Sequence, residues 1–544
     1  MRFTGVLGII ALLGLAFLLS NNRRRIKPRI IIWGLGLQFL FAAIILGEGW
    51  LSFSAMLLFI AALIIYMFKD FINKGPNRQN QILRMASIIA GIVVFAGLMY
   101  FIRGLGLSGW IFWLALAALF ILPLFNQHKY QKFLAAIMLL AGFVWLLNAG
   151  MTGDKIFHLV SLKVKKFLNL SDLGAEFLFG NLALDKYFFP ESNSWPGFGN
   201  QFAFTVLPVI IFFSAFMSIL YHLGVMQKIV IAMAKFMKWT MGTSGAETLS
   251  CSSNIFVGQT EAPLLIKPFL ENMTKSELMT IMVGGFATIA GGVLAGYIAM
   301  GIPAGHLIAA SVMSAPAAIV MGKILFPETQ HSETAGDVEI PEDIIKSSNL
   351  LDAATQGVTD GIKLAVNVGA MLIAFIALIG LLDLILNFAD KLIDGRLLQG
   401  AYVNYETVSS MSPVTGEFNG IFPGSIKTFF GTVFRPLAWL MGVSWQNAVE
   451  VGNLLGIKLT LTEFVAYGSL ADLIKQGAIS AKAEVIATYA LCGFANFASI
   501  GIQIGGISAL APSRRSDLSK LALKAMFGGA FASWITASIA GILM

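Results

Sequence analysis

Runs of apolar residues long enough to cross a lipid bilayer recur along this chain, at residues 4–20, 30–47, 51–68, 85–103, 107–125 and 133–149, and again in its second half. A spanning helix needs about 20 predominantly apolar residues, and in hydrocarbon every backbone N–H and C=O must be satisfied internally. Only helices and closed barrels meet that demand. The runs are continuous, without the alternation of barrel strands, so helices are expected. With 57% apolar residues, 12% charged residues and a mean hydropathy of +0.79, no soluble class fits.

The net charge of +8 comes from short basic loops between the runs, as the positive-inside bias predicts, and does not point to nucleic acid. Residues 21–29 hold Arg23, Arg24, Arg25, Lys27 and Arg29. Placing them in the cytoplasm puts the N-terminus outside. The first run precedes its basic cluster, the reverse of signal-peptide order, so it reads as a retained helix. Two cysteines, Cys251 and Cys492, give no disulfide framework, and five scattered histidines show no metal-ligand spacing. Residues 153–200 interleave Lys155, Lys163, Lys165 and Lys166 with Ile156, Phe157, Leu159 and Phe167. This is the pattern of an interfacial amphipathic helix, or of one packed on a neighbouring subunit. Residues 327–348 are the most acidic and read as a solvated surface loop. Residues 390–424 form a polar insertion.

Two stretches break the apolar pattern with polar residues. One is Ser250-Cys251-Ser252-Ser253-Asn254-Ile255-Phe256-Val257-Gly258-Gln259-Thr260-Glu261-Ala262-Pro263. The other runs from Gly456 through Lys458, Thr460, Thr462 and Glu463 to Tyr467. Proline lacks a donor N–H, and a carboxylate is expensive at bilayer depth, so neither stretch suits one lipid-facing helix. Each is followed by a small-residue helix, read as residues 278–302 and 491–506. Paired interrupted segments point to a midplane transport site between internal repeats. Gln259, Thr260, Glu261, Asn496 and Ser499 offer donors and acceptors for a hydroxylated solute, with Asn496 and Ser499 three apart on one helix face. Asn254, the unwound backbone at Val257, and Thr288 with Ile289 offer neutral oxygens for Na⁺; proton coupling through a glutamate is the rival. Glu261 and Glu463 as acid and base of an intramembrane hydrolase lack a nucleophile, metal triad or neighbouring histidine, so an enzyme is not expected.

Three segments carry a resemblance: Gly258-Gln259-Thr260-Glu261-Ala262-Pro263-Leu264-Leu265-Ile266, Gly456-x-Lys458-x-x-x-Thr462-Glu463-Phe464-Val465-Ala466-Tyr467, and Cys492-Gly493-Phe494-Ala495-Asn496-Phe497-Ala498-Ser499-Ile500-Gly501. Together they resemble the signature segments of the concentrative nucleoside transporters, bacterial type, over about residues 1–50 and 200–544. The resemblance implies a homotrimer in the bacterial inner (plasma) membrane. It also implies inward symport of nucleosides such as uridine, cytidine or adenosine, by an elevator-like motion of a transport part against a scaffold part. The base would be held by Gln259, Thr260, Glu261 and Val293, the ribose by Glu463, Asn496 and Ser499, and Na⁺ by Asn254, Val257, Thr288 and Ile289. Thr288 stands where the family has serine, and Thr462 where it has asparagine. No further cofactor is implied. A proton-coupled symporter and a passive facilitator are the alternatives.

The expected fold class is an all-α polytopic membrane protein of about 12 transmembrane helices plus two re-entrant helical hairpins, with an inverted-repeat transport domain on a scaffold domain. Residues 1–50 give N-terminal helices, and 51–150 give additional helices that the resemblance does not explain. Residues 151–226 hold the interfacial and a scaffold helix, and 227–326 the first half of the transport domain. The acidic loop at 327–348 and the connecting helices at 349–445 follow. Residues 446–544 complete the transport domain and end in a final helix.

Overall fold

Each apolar run satisfies its own backbone as a helix, and the places where it does not are where two polar hairpins and two broken helices meet. The computed structural model describes residues 2–74, 78–101, 107–121, 130–183, 202–334, 347–400 and 421–544, which are helical with no strand among them. Residues 184–200, most of the acidic stretch including Glu342, the end of the 107–125 run and the centre of the polar insertion lie outside the described residues. Eight described helices are long and apolar enough to cross a membrane, and Phe3–Leu18, Gly109–Leu119 and Phe497–Leu510 are shorter apolar helices. The chain divides into two units, residues 1–38 with 161–544, and residues 39–160.

The smaller unit packs Trp50–Met67, Arg78–Phe101, Leu107–Ile121 and Gln131–Asn148. Phe53, Met56, Phe143 and Val144 form one core cluster, and Ile64, Ile92, Ala136 and Leu140 another. Ser52 ties chain ends together: its hydroxyl donates to the Ile44 carbonyl at 2.8 Å and accepts from the Gly153 N–H at 2.8 Å. Outside the spans, Lys132 pairs with Asp70 at 3.0 Å and holds its carboxyl below the usual range.

In the larger unit burial separates inner helices from outer ones. Within the apolar windows, 89% of Lys275–Ala299, 89% of Ala304–Leu325 and 83% of Pro512–Leu543 is buried, against 17% of Phe202–His222. The inner helices approach closely at glycines; a Cβ on Gly528 would lie 2.9 Å from Val283, and one on Gly529 would press on Phe286. The outer pair is Phe202–His222 against the 41-residue helix Leu350–Asp390. Gly357 and Gly361, four apart, admit the partner backbone: Cβ atoms there would sit 2.7 Å from Ala215 and 2.8 Å from Ile211. Basic residues close helix ends, where carbonyls lack partners. Arg23 donates to the Phe17 and Leu18 carbonyls, and Arg29 to those of Trp239 and Thr240.

The two polar stretches are helix–turn–helix hairpins. The first is Gly245–Ser253, a turn, and the 3₁₀ segment Ala262–Phe269 with Pro263 at its start; the second is Ala448–Thr460 followed by Glu463–Lys475. The small-residue helices expected at 278–302 and 491–506 are not continuous. The first ends at Ala287 and restarts at Gly291; the second is Ala481–Leu491, an extended link, and Phe497–Leu510. Thr288 and Ala290 adopt extended backbone, and adjacent glycines remove the penalty for leaving the helix. Residues 227–239 lie within the helix Val225–Met241.

Candidate functional site

The first broken helix frees backbone groups at residues 288–290, and the tip of the first hairpin packs against that break. The Gly291 N–H donates to the Phe256 carbonyl at 3.0 Å, and the Ser311 hydroxyl to the Ile255 carbonyl at 3.0 Å. Asn254 ends the hairpin's first helix and is 1% exposed, yet neither its Oδ1 nor its Nδ2 has a partner among the described residues. Its amide lies against Gly284, where a Cβ would be 3.4 Å from Nδ2. The Thr288 hydroxyl donates to the Gly284 carbonyl at 2.8 Å, so Asn254 and Thr288 converge on one helical turn. A buried, unpartnered amide is costly unless something completes it. The oxygens of Asn254 and Thr288, beside the half-buried Val257 and the buried Ile289, suit a hard monovalent cation such as Na⁺.

The second hairpin meets the second broken helix in the same way. Glu463 is 4% exposed and accepts from the Tyr297 hydroxyl at 3.0 Å and from Asn496 Nδ2 at 2.8 Å. Tyr297 also stacks near Tyr467, ring centroids 4.2 Å apart. Asn496 does not share a helix face with Ser499 as the spacing suggested. It is the N-cap of Phe497–Leu510, and the Ser499 N–H donates to its Oδ1 at 2.8 Å. That cap fixes the amide with its donors toward Glu463. Thr462, in place of asparagine, caps the hairpin's second helix by accepting from the Val465 N–H.

Gln259, Thr260, Glu261 and Val293 adjoin this arrangement. Gln259 is buried, with Oε1 3.0 Å from Gln503 Nε2, and Thr260 lies against Gly506 on the same helix as Ser499. The Glu261 carboxylate lies against Gly258, where a Cβ would overlap it, and it is solvent-accessible, as a cavity-lining group would be. Val293 is buried one turn before Tyr297. Bonds therefore link both hairpins and both broken helices. Two cavities, of about 250 and 360 Å³, lie elsewhere, beside Lys27 and Lys323 and beside Trp50 and Tyr100. Neither touches Gln259, Glu463 or Asn496, so convergent polar groups define the site.

Three contributors were not singled out from sequence. Tyr297 and Gln503 act across 166 and 244 residues, and Gln503 repeats the Asn496 stripe at a seven-residue interval. Lys458 lay in a quoted motif with no role. It is fully buried and donates to the Ala490 and Cys492 carbonyls at 3.0 and 3.1 Å, where Ala481–Leu491 ends. The Ser533 hydroxyl donates to the same Cys492 carbonyl. Gly493, at φ +112°, completes the turn, and a Cβ there would sit 2.6 Å from the Phe286 carbonyl. The Phe494 N–H donates to the Thr288 carbonyl at 3.3 Å, joining the two breaks.

The described part of the acidic stretch is a loop, exposed at Thr329, Gln330, His331 and Glu333, that is tied down through its hydroxyls and Glu328. Ser332 and Thr334 hydroxyls both donate to Glu277 Oε1 at 2.6 Å, the Thr274 hydroxyl to Glu328 at 2.7 Å, and the Gly245 N–H to the Thr334 carbonyl at 2.8 Å. Lys323 pairs with Glu247 at 2.7 Å. Residues 328–334 thus clasp the start of the first hairpin to the start of the first broken helix.

Family comparisons agree with this architecture. The family models described as Na⁺ dependent nucleoside transporter N-terminus, nucleoside recognition gate and Na⁺ dependent nucleoside transporter C-terminus match residues 7–69, 203–304 and 306–541. Sodium/nucleoside cotransporter 1 of Mus musculus is 41% identical over 404 residues, covering 72% of this chain and 56% of that protein. The chain thus spans about half the length of such mammalian relatives. The uncharacterized transporter YutK of Bacillus subtilis is 40% identical over 392 residues, with 72% and 87% covered. The solved structure of CNTnw in an inward-facing substrate-bound state aligns with a TM-score of 0.70 at 29% identity, covering 100% of this chain and 98% of that one. This chain is a multi-pass membrane protein and belongs to the concentrative, Na⁺-dependent nucleoside transporter family.

Proposed function

We propose that the chain imports nucleosides by symport with Na⁺, through an elevator-like movement of the hairpins and broken helices against the outer helices. The carrying observation is the Glu463 carboxylate, buried and oriented by Tyr297 and Asn496, which matches the vicinal hydroxyls of a ribose. Glu463, Asn496 and Ser499 would bind the sugar, and Gln259, Thr260, Glu261 and Val293 the base. Asn254, Val257, Thr288 and Ile289 would bind Na⁺. The bond from Phe494 to the Thr288 carbonyl gives cation and sugar a shared element, so each stabilises the backbone that the other needs.

The relatives support this reading: cotransporters of mouse, rat and human carry sodium and nucleoside in their names, and CNTnw has been captured in inward-facing, outward-facing and intermediate states. A homotrimer built on the outer helices is part of the proposal; light scattering in detergent tests it, with a monomer mass as the refuting result. Proton coupling is the second reading, favoured by Glu261, an accessible carboxylate with no basic partner within ion-pair distance among the described residues. Calorimetric titration of uridine and adenosine into purified protein, with Na⁺ or with choline, tests the coupling. Binding that tightens at least tenfold in Na⁺ is expected; equal affinity in both salts overturns it.

A further inference from the structure

Gln503 is fully buried, and its amide nitrogen donates twice: to the Met282 carbonyl at 3.1 Å and to Gln259 Oε1 at 3.0 Å. The Met282 contact fixes which way both glutamines point. A backbone carbonyl can only accept, so the NH₂ end of Gln503 faces it; the reversed amide would set two oxygens against each other. One hydrogen of that nitrogen goes to Met282, and the other needs an acceptor on Gln259, which can only be Oε1. The Gln259 amide is thereby turned with its oxygen inward and its NH₂ away, and that NH₂ donates to nothing among the described residues. Glycines make the arrangement possible. A Cβ on Gly285 would overlap Gln503 Nε2 and sit 2.9 Å from Gln259 Cβ, and one on Gly506 would sit 2.7 Å from Thr260 Cγ2.

We propose that Gln503 is a specificity-determining positioning residue, locking Gln259 as a donor so that the site takes bases offering it a carbonyl or ring-nitrogen acceptor. This rests on Gln259 being a base contact, as in the proposed function. An amide free to turn would accept either polarity at one place; a locked one leaves its donor unpaired against a base that lacks the acceptor. Gln503 touches the base through Gln259 and not directly. Its effect is therefore on choice among bases.

The test is uptake by proteoliposomes of uridine against its 4-amino analogue cytidine, and of inosine against its 6-amino analogue adenosine, each presenting an amino donor where the parent has a carbonyl acceptor. In the unaltered protein at least one analogue shows a KM about tenfold or more above its parent, the equivalent of one lost hydrogen bond. Gln503→Met brings that ratio below about twofold, and in a Gln259→Ala background the same change leaves every KM alone. Gln259→Glu keeps an oxygen for Gln503 but presents only acceptors, and brings the ratio to one or below should Gln503→Met not fold. A ratio that survives either variant overturns the lock, as does an equal effect of Gln503→Met with and without the Gln259 side chain, or an unaltered protein blind to every analogue. Unchanged KM values in Gln259→Ala overturn the base assignment itself, and the lock with it.

Discussion

Glu463→Gln is the sharpest perturbation of the proposed sugar site, because the surroundings dictate how the new amide must sit. Asn496 cannot turn to accommodate it: its Oδ1 is held by the Ser499 N–H, so its NH₂ stays toward position 463 and takes the amide oxygen. The amide NH₂ then faces Tyr297, whose hydroxyl rotates from donor to acceptor. Both protein contacts survive, so folding should too. What is lost is charge. Hydrogen bonds to an ionised group contribute about 1.5–3 kcal/mol and neutral ones about 0.5–1.5, a difference near 1–1.5 for each of two ribose hydroxyls. The sum, about 2–3 kcal/mol, corresponds to an affinity loss of about 30- to 150-fold. Titration calorimetry on variant and parent, each first shown to be monodisperse with a similar melting temperature, measures it. Dideoxynucleosides supply the control, since they should lose affinity in the parent and little more in the variant. A dissociation constant within threefold of the parent's, in a well-folded variant, would refute the reasoning.

Other expectations follow from the same geometry. Thr288→Ala removes a hydroxyl from the Asn254 neighbourhood and should raise the Na⁺ concentration for half-maximal uptake about tenfold, while nucleoside KM at saturating Na⁺ moves less than threefold. Lys458→Met removes the ammonium that satisfies the Ala490 and Cys492 carbonyls, at a cost of about 2–4 kcal/mol after relief of its own desolvation, read as a lower melting temperature in detergent. Gly493→Ala combines a left-handed φ of +112° with a carbonyl 2.6 Å from the new methyl and should abolish uptake. Gly477→Ala, at φ +62° in open space, should cost only about 1 kcal/mol and leave uptake intact.

Much of the architecture could be read from the chain because lipid imposes the same demand on every segment. The apolar runs became helices, and Gly258 with Pro263 and the two glutamates, Glu261 and Glu463, marked where hairpins had to turn. The breaks were harder. Residues 284–293 are mostly small or apolar, Thr288 being the one polar side chain, so little local separates a continuous helix from one that stops at Ala287 and resumes at Gly291; packing against the Phe256 carbonyl decides it. Asn496 was placed at the site by its type, but its cap geometry depends on the extended link before it. Partners distant in sequence were not visible at all: Tyr297 with Glu463, Gln503 with Gln259, and Ser332 and Thr334 with Glu277 join segments whose local patterns are ordinary. A stretch rich in acidic and hydroxyl residues reads as solvated until its bonds to another element's cap are known.

The central claim is that Na⁺ and nucleoside move together. Its most direct test is accumulation of labelled uridine in proteoliposomes of the purified protein under an inward Na⁺ gradient, an inward proton gradient, or neither. The account predicts accumulation above the external concentration with the Na⁺ gradient alone, abolished when the gradient is dissipated. Accumulation driven by protons without Na⁺, or mere equilibration under every condition, would contradict it.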